Sequence, residues 1–236
     1  MNSIKHDLKL GITKEFPCNY LPNVDERLII IVDEAFDKEQ QYSWLMHQGF
    51  RRSGEQVYRP YCRQCSACQS IRVMVPKFKP SRSQKRQIKK CQKFSVRTST
   101  VPADSYYALY EKYINTIHKD GAMYPASLEQ YQNFLLAKVC SLLFIEIFDQ
   151  DKLISVAVTD NLSNALSAVY TFYDPNYREY ALGIFSILNQ IDVAHNMGKE
   201  FLYLGYQIDD CQKMNYKNKF HPYQRLTDNQ WFIVNK

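Results

Sequence analysis

The residues with the clearest capacity for chemistry are three closely spaced cysteines, Cys62, Cys65 and Cys68, in the pattern Cys-x-x-Cys-x-x-Cys. Gaps of two residues allow successive sulfur atoms to face one ion or cluster, as in zinc knuckles and iron–sulfur sites. Cys18 supplies a fourth thiolate if the fold returns it to this cluster. The pattern predicts a thiolate-bound zinc ion or Fe–S cluster, and the alternative is three small buried side chains.

A second informative segment is strongly basic. Between Arg51 and Arg97 there are fourteen Lys and Arg residues and one acid, Glu55, whereas the whole chain carries a formal charge of +6. Such a concentration is typical of a surface that binds a polyanion, with a solvated helix face as the alternative. Residues 81–93 have helical spacing, and the predicted phosphate contacts are Lys85, Arg86, Lys89, Lys90 and Lys93.

The elements that must position these residues are clearest in the C-terminal half. Three strands, a helix and a fourth strand are predicted at 142–148, 153–159, 166–173, 183–197 and 201–204. This succession is typical of the acyltransferases that use coenzyme A. We therefore expect an α+β protein with a small N-terminal Cys-containing domain, residues 1–97, and an acyltransferase-like (GNAT-like) mixed-sheet domain, residues 98–236.

The junction between the third strand and the helix lacks a feature that coenzyme A enzymes need. In those enzymes a Gln/Arg-x-x-Gly-x-Gly/Ala turn cradles the pyrophosphate with its backbone N–H groups. Residues 174–183 instead contain one glycine, two acids and a proline. We expect the fold to be kept while the acyl donor is a different molecule.

Other features limit the function classes. The sequence has no Gly-x-Ser-x-Gly, Walker or dinucleotide motif, and its five histidines are scattered, so neither nucleophile chemistry nor a His-based site is expected. No stretch approaches 18 uninterrupted apolar residues, so no membrane partner is expected. Charges within Met1 to Gly11 argue against a secretory signal, and seven cysteines then suit a reducing cytoplasm.

Several separate motifs occur in order along nearly the whole chain. They are Tyr58-Arg59-Pro60 before the cysteine pattern, Ser167-Ala168-Val169-Tyr170-Thr171-Phe172-Tyr173-Asp174-Pro175, Tyr203-Leu204-Gly205-Tyr206 and Cys211-x-Lys213-Met214-x-Tyr216-Lys217. Two shorter ones are Cys18-x-Tyr20-Leu21-Pro22 and Asp120-Gly121-x-Met123. Together, from about residue 15 to 226, they resemble the bacterial aminoacyl-tRNA–protein transferases.

The resemblance implies a function. Members of the bacterial branch attach leucine from aminoacyl-tRNA to the α-amine of proteins that begin with Asp or Glu, and the product is an N-degron for protein degradation. Because the ester on tRNA is already activated, the transfer requires no cofactor and no ATP site. The accepting α-amine has a pKa of about 7.7–8.0, so a modest base suffices.

Candidate residues follow from this chemistry. Asp174, at a strand end, and Asp120 are the candidate bases, with a turn or N-cap role as the alternative for each. An N-terminal Asp or Glu requires a cation for its carboxylate, for which the candidates are Arg59, Arg72 and Lys217. The alternative for these three is an ordinary surface salt bridge.

A tyrosine-rich stretch around Tyr170 predicts an aromatic wall for a base or an apolar side chain, or else core packing. Two other function classes stay open. A CoA-dependent N-acyltransferase is disfavoured by the missing pyrophosphate turn, and acetyl-CoA binding would support it. A non-catalytic RNA-binding protein would show RNA affinity without transfer.

Overall fold

The computed structural model describes residues 8–33, 36, 38–136 and 138–235. In these ranges the α-helices are Lys38–His47 (α1), Arg82–Lys90 (α2), Ser105–Ile117 (α3), Leu128–Leu135 (α4) and Leu182–Asn196 (α5). Short 3-10 helices span Val75–Lys77, Pro175–Tyr180 and Asn215–Lys219. The N-terminal strands are Leu10–Ile12 (β1), Phe16–Pro17 (β2), Asp25–Glu26 (β3), Leu28–Ile31 (β4), Arg51–Ser53 (β5), Gln56–Pro60 (β6) and Gln69–Met74 (β7). The remaining strands are Ser95–Ser99 (β8), Leu142–Asp149 (β9), Lys152–Asn161 (β10), Ala165–Tyr173 (β11), Phe201–Gln207 (β12), Tyr223–Thr227 (β13) and Gln230–Val234 (β14).

The largest sheet has eight strands in the order β14-β13-β7-β12-β11-β10-β9-β8. The predicted strand–strand–strand–helix–strand succession is confirmed as β9, β10, β11, α5 and β12. The first three strands are antiparallel neighbours, and β12 runs parallel to β11 after the α5 crossover. The α+β class with an acyltransferase-like mixed sheet is therefore confirmed.

The N-terminal part contributes strands to more than one sheet. Strands β1, β4, β6 and β5 form a four-stranded sheet, but β7 pairs with β12 and β13 inside the large sheet. The predicted domain boundary between residues 97 and 98 falls within β8, which pairs with β9. The large sheet thus crosses that boundary twice, because β7 and β8 both have partners from the C-terminal part.

Helices cover both faces of the large sheet because side chains alternate along each strand. On β10, Ala157 packs into the cluster beneath α5 with Leu166 and Leu202, while Val156 packs into the cluster beneath α3 with Tyr110. Within the described residues, no helix is long and apolar enough to cross a membrane. The helix α5 is the element that brings the chain from β11 to β12, so it also borders the opening between them.

A buried ion pair joins the small sheet to the large one. Arg52 on β5 donates from Nε to Oδ1 of Asp160 on β10 at 2.8 Å, and the Tyr42 hydroxyl donates to the other carboxylate oxygen at 3.0 Å. Both charged side chains are 1% exposed. Burial opposes the charge of Arg52, but the neighbouring carboxylate more than compensates, and the Arg52 pKa is raised. The pair is therefore a fixed point between the two sheets.

Candidate active site

A cavity of about 610 Å³ opens where β11 and β12 part. The paired residues of these strands are 165–167 and 201–203, and the next residues, Ala168 and Leu204, line the cavity. Because only three residue pairs join the two parallel strands, the sheet leaves room between them for a ligand. The cavity is thus produced by the strand register itself.

Most of the cavity wall is apolar or aromatic. Tyr113, Tyr170, Tyr173 and Tyr216 line it together with Ile184 of α5. The rings of Tyr170 and Tyr173 pack edge-to-face or tilted against that of Tyr113, with a centroid distance of 4.8 Å between Tyr113 and Tyr173. The structure places Tyr170 on this wall, where the sequence-based interpretation has an aromatic surface for an apolar side chain.

Lys217 supplies a buried cation to the same cavity. Its side chain is 7% exposed, and Nζ donates to the backbone carbonyl of Tyr206 at 2.6 Å. Burial, together with the nearby positive charge of Arg51, lowers the Lys217 pKa to about 8. Gly205, whose φ of +83° favours glycine, places its α-carbon beside this ammonium group. A lysine held in this way keeps donors available for an anion in the cavity.

His118 lies at the cavity wall, although no sequence pattern singled it out. Its Nε2 is 3.0 Å from the hydroxyl of Tyr113, and burial lowers its pKa below 6.5. The ring is therefore mainly neutral at pH 7 and able to accept a proton. No local pattern indicates this residue, because the loop after α3 meets the cavity only through tertiary packing.

The helix α5 adds polar groups to the cavity. It begins after Ala181 without a side-chain cap, and Gly183 of its first turn lines the cavity, so the positive end of the helix dipole lies at this wall. Gln190, about two turns after Gly183, is fully buried and its Oε1 has no hydrogen-bond partner among the described residues. An unsatisfied buried acceptor favours a ligand that brings a donor.

The two carboxylates predicted as bases occupy different positions. Asp174 is 2% exposed and accepts from Lys112 at 2.7 Å and from Lys152 at 2.9 Å. Burial alone would raise its pKa, but these hydrogen bonds hold the pKa at about 2. It also caps the following 3-10 helix by accepting from the Asn176 N–H. These contacts favour the N-cap alternative, because so weak a base accepts few protons at neutral pH.

Asp120, the second candidate base, lies on the surface. Its carboxylate is 3.4 Å from Nζ of Lys213, which lines the cavity. A backbone hydrogen bond and Lys213 lower the Asp120 pKa. Asp120 therefore lies at the rim of the cavity beside His118, rather than at its centre.

The two arginines predicted to bind a carboxylate also differ. Arg59 donates to the Gln48 carbonyl at 3.0 Å and lines a cavity of about 350 Å³ with three of the cysteines. Arg72 is 4% exposed, donates to Gln224 and to the Tyr203 hydroxyl, and stacks between the rings of Phe201 and Trp231. Through these internal contacts Arg72 holds neighbouring strands together. Arg59 is the more accessible of the two cations.

All four predicted cysteine ligands line one cavity of about 370 Å³, so the fold does return Cys18 to Cys62, Cys65 and Cys68. Burial and the three neighbouring thiols raise the Cys68 pKa to about 12. Four thiols suit zinc or an Fe–S cluster by their chemistry. In the described residues, however, no group of three or more His, Cys, Asp or Glu side chains is arranged to hold a metal ion. The four cysteines are therefore close together, but their side chains are not arranged as a coordination site.

The predicted basic helix is confirmed as α2. Ser81 accepts from the backbone of Gln84, whose side chain accepts from the Ser81 N–H, so a capping box starts the helix. Lys85, Arg86 and Lys89 are exposed on it. Lys90 donates to the Glu179 carbonyl at 2.6 Å, and Lys93, beyond the last turn, is 4.0 Å from Asp149.

Known proteins similar to this chain agree with the architecture. An aspartate/glutamate leucyltransferase of Pseudoalteromonas atlantica is 49% identical over 229 residues, which are 97% of this chain and 99% of that protein. Another, of Shewanella oneidensis, is 44% identical over 230 residues, 98% of this chain and 96% of that protein. Among solved structures, the C-terminal domain of a candidate lysylphosphatidylglycerol synthetase of Agrobacterium fabrum matches with a TM-score of 0.52. That match has 10% identity, covers 71% of this chain and 58% of the other, and shows the fold alone.

The mixed sheet and the cavity at its strand opening define the class, an acyltransferase-like enzyme. Family models for the N terminus and the C terminus of arginine-tRNA-protein transferases match residues 16–86 and 105–227. The chain belongs to the arginine-tRNA-protein transferase family.

Proposed function

We propose that this protein transfers leucine from leucyl-tRNA to the α-amine of proteins that begin with Asp or Glu, and thereby creates an N-degron. The observation that carries the proposal is the tyrosine-lined cavity with the buried ammonium group of Lys217 in its wall. An apolar wall suits the leucyl side chain, and a desolvated cation suits an acidic first residue. The aspartate/glutamate leucyltransferases that are 43–49% identical to this chain support the same donor and acceptor. We place the reaction in the cytoplasm, where charged tRNA is available.

Recognition of the acceptor depends on Lys217 and Arg59 in this proposal. Tyr206 contacts the surroundings of both cations. Its backbone carbonyl accepts from Lys217 Nζ, and the residue also lines the cavity of Arg59. Lys217 and Arg59 line two different cavities, so in this proposal they contact different parts of the acceptor peptide. Arg72 has no part in this recognition, since its donors are used inside the protein.

The reaction forms one bond and breaks one. The neutral α-amine attacks the leucyl carbonyl carbon, and the ester bond to the terminal ribose breaks, so the amine loses a proton and the ribose oxygen gains one. His118, neutral at pH 7 and hydrogen-bonded to Tyr113, is the proton acceptor in this scheme. The dipole of α5 stabilises the negative charge that develops on the carbonyl oxygen.

The body of the tRNA binds to α2. The exposed basic residues contact phosphates without reading base sequence, and the proposed contacts are Lys85, Arg86, Lys89, Lys90 and Lys93. Lys90 and Lys93 already have protein partners, so Lys85, Arg86 and Lys89 carry the larger share.

The four cysteines have a separate, structural role in this proposal. Cys18, Cys62, Cys65 and Cys68 would hold a zinc ion or an Fe–S cluster after a local rearrangement of their side chains, and transfer needs no cofactor. Elemental analysis of the purified protein and of its Cys65→Ala variant tests this. We expect loss of the metal and a lower folded yield in the variant, and a metal-free, fully active wild type would contradict it.

One experiment tests the proposed transfer directly. The protein is incubated with leucyl-, phenylalanyl- or arginyl-tRNA and with peptides that begin with Asp, Glu, Arg or Ala. We expect leucine on the Asp and Glu peptides only. Transfer of another amino acid would correct the donor, and transfer from acetyl-CoA, or RNA binding with no transfer, would replace the proposal with another class.

A further inference from the structure

A second, larger cavity of about 1100 Å³ lies beside α2 and is strongly basic. Four cations line it: Lys79, Arg82, Arg86 and Lys219, and its lining residues include no Asp or Glu. All four are exposed on the cavity side of the surface. A concave surface with four positive charges and no acid costs self-repulsion unless an anion occupies it.

The floor of this basic groove is built and held in place. The side chain of Gln84, 6% exposed, donates from Nε2 to the Lys219 carbonyl at 3.1 Å, which ties α2 to the 3-10 helix Asn215–Lys219. The capping box at Ser81 places the positive end of the α2 dipole at the same groove. The two segments that carry Arg82, Arg86 and Lys219 are therefore held together by the hydrogen bond from Gln84 to the Lys219 backbone.

The basic groove is adjacent to the cavity between β11 and β12. Ala181 and Ile184, at the start of α5, line both of them. The groove therefore ends beside the start of α5, next to the opening between β11 and β12. Lys85 and Lys89 belong to α2 but do not line the groove, so a long ligand would contact them with a different part of its chain.

We propose that the basic groove binds the sugar–phosphate backbone of the 3′ end of the aminoacyl-tRNA, in the nucleotides next to the ester, through Lys79, Arg82, Arg86 and Lys219. This rests on the proposed function, since it assigns the acyl donor's last nucleotides to a site. Three of these residues lie outside the set that the helical spacing predicted, and only Arg86 is shared. The chemistry is that of phosphate oxygens on Lys and Arg, so the groove fixes position rather than base sequence.

The test compares two double variants of matched charge. Arg82→Gln with Lys219→Gln removes two groove cations, and Lys85→Gln with Lys89→Gln removes two cations of the same region outside it. The donors are full-length leucyl-tRNA and a leucylated minihelix that contains only the acceptor stem and its 3′ end. Thermal unfolding and the charge-conserving variant Arg82→Lys with Lys219→Arg show whether the fold is kept.

We expect the groove variant to raise KM for the minihelix about tenfold or more, because charge-assisted contacts are lost. Its slope of log affinity against log salt should flatten by about 1.4, two contacts at about 0.7 each for a single strand. The matched control should bind the minihelix normally and weaken only for full-length tRNA. Unchanged minihelix KM and salt slope in a folded groove variant would overturn the proposal.

Failure of the proposed function gives a different result. If the wild type transfers no leucine from either donor, that function is wrong, and the groove is then judged by its binding of uncharged minihelix RNA. Weaker binding of this RNA by the groove variant, with normal binding by the control, still supports the assignment. Equal binding by both variants contradicts it.

Discussion

Two buried cations in different regions of the molecule differ in the charge of their partners. Arg52 lies between the two sheets, paired with the Asp160 carboxylate at 2.8 Å, and its pKa is raised. Lys217 lies in the wall of the cavity between β11 and β12, donates to a backbone carbonyl, and has a pKa lowered to about 8. The first charge is neutralised within the fold, whereas the second is left for an anion that comes from outside.

This difference explains why burial alone does not identify a functional cation. A buried cation with its carboxylate contributes to holding two elements together, and removal of either partner leaves an uncompensated charge. A buried cation without one costs stability in the free protein, and a bound substrate recovers that cost. Substitutions at Arg52 or Asp160 should therefore change mainly the free energy of unfolding, and substitutions at Lys217 should change mainly the binding of the acceptor.

The largest effect is expected at the fixed point between the sheets. Asp160→Leu leaves Arg52 buried and unpaired, which should lower the free energy of unfolding by about 3–5 kcal/mol. Urea denaturation measures this change. Activity per folded molecule should stay near that of the wild type, and the double variant Arg52→Met with Asp160→Leu should recover much of the stability. A stable single variant with lost activity would reverse the roles that we assign to the two regions.

The next effect concerns the cations proposed to bind the acceptor. Lys217→Met should lower kcat/KM for peptides that begin with Asp about tenfold to hundredfold, because one charge-assisted contact is worth about 1.5–3 kcal/mol. Arg59→Gln should give a smaller loss of the same kind. Affinity for tRNA should change little, and the unfolding midpoint should not fall, because Lys217→Met removes a buried charge that costs stability. Lys138→Met, an exposed lysine on the turn after α4, is the matched control. Normal modification of Asp peptides by both variants would show that the carboxylate partner lies elsewhere.

The pH dependence sharpens the comparison further. Because the folded-state pKa of Lys217 is about 8, below its value of about 10.4 in the unfolded chain, the ammonium form is lost between pH 7 and 9. KM for Asp peptides should rise as the pH passes 8, and Lys217→Arg should abolish that rise. The unfolded chain binds more protons in this range, so wild-type stability should increase from pH 8 to about 10.4 relative to Lys217→Met. A KM profile for Lys217→Arg identical to that of the wild type would contradict a titrating Lys217.

The smallest effect is expected for Asp174. Its pKa of about 2 lies below the unfolded value of about 3.9, so its stabilisation is present above pH 4 and is lost as the pH falls to 2. Asp174→Asn should cost about 1–2 kcal/mol at pH 7, since both lysine partners are half-exposed. The difference from the wild type should vanish in acid unfolding near pH 2. A loss of activity above a hundredfold, without loss of stability, would restore Asp174 as the base.

Local patterns made part of this molecule predictable. The strands and helix from β9 to β12 follow from alternating and helical apolar spacing, and α2 follows from its capping residues and basic spacing. Local patterns left two points open, whether Tyr170 forms an aromatic wall or core and whether the fold returns Cys18 to the other cysteines. Tyr170 lines the cavity between β11 and β12, and Cys18 lines one cavity with the other three cysteines.

The remainder depends on contacts between residues that are distant in sequence. Arg72 was a candidate for substrate binding because nothing local shows that Gln224 and Tyr203 use its donors. Asp174 was a candidate base because its two lysines come from α3 and β10. His118 was missed for the same reason, since its position at the cavity arises only when α3 packs on the sheet.

The insertion of β7 between β12 and β13 has a consequence for synthesis of the chain. Both of its neighbours are made more than 120 residues later, so the emerging chain holds a strand of six residues with neither edge paired until nearly the whole protein is complete. Such non-local pairing slows folding and exposes strand edges to aggregation. A fragment that starts at residue 98 would lack β7 and leave β12 and β13 with unpaired edges, so the C-terminal part needs the N-terminal part to complete its sheet. The large sheet is thus completed only when β12 and β13 have been made.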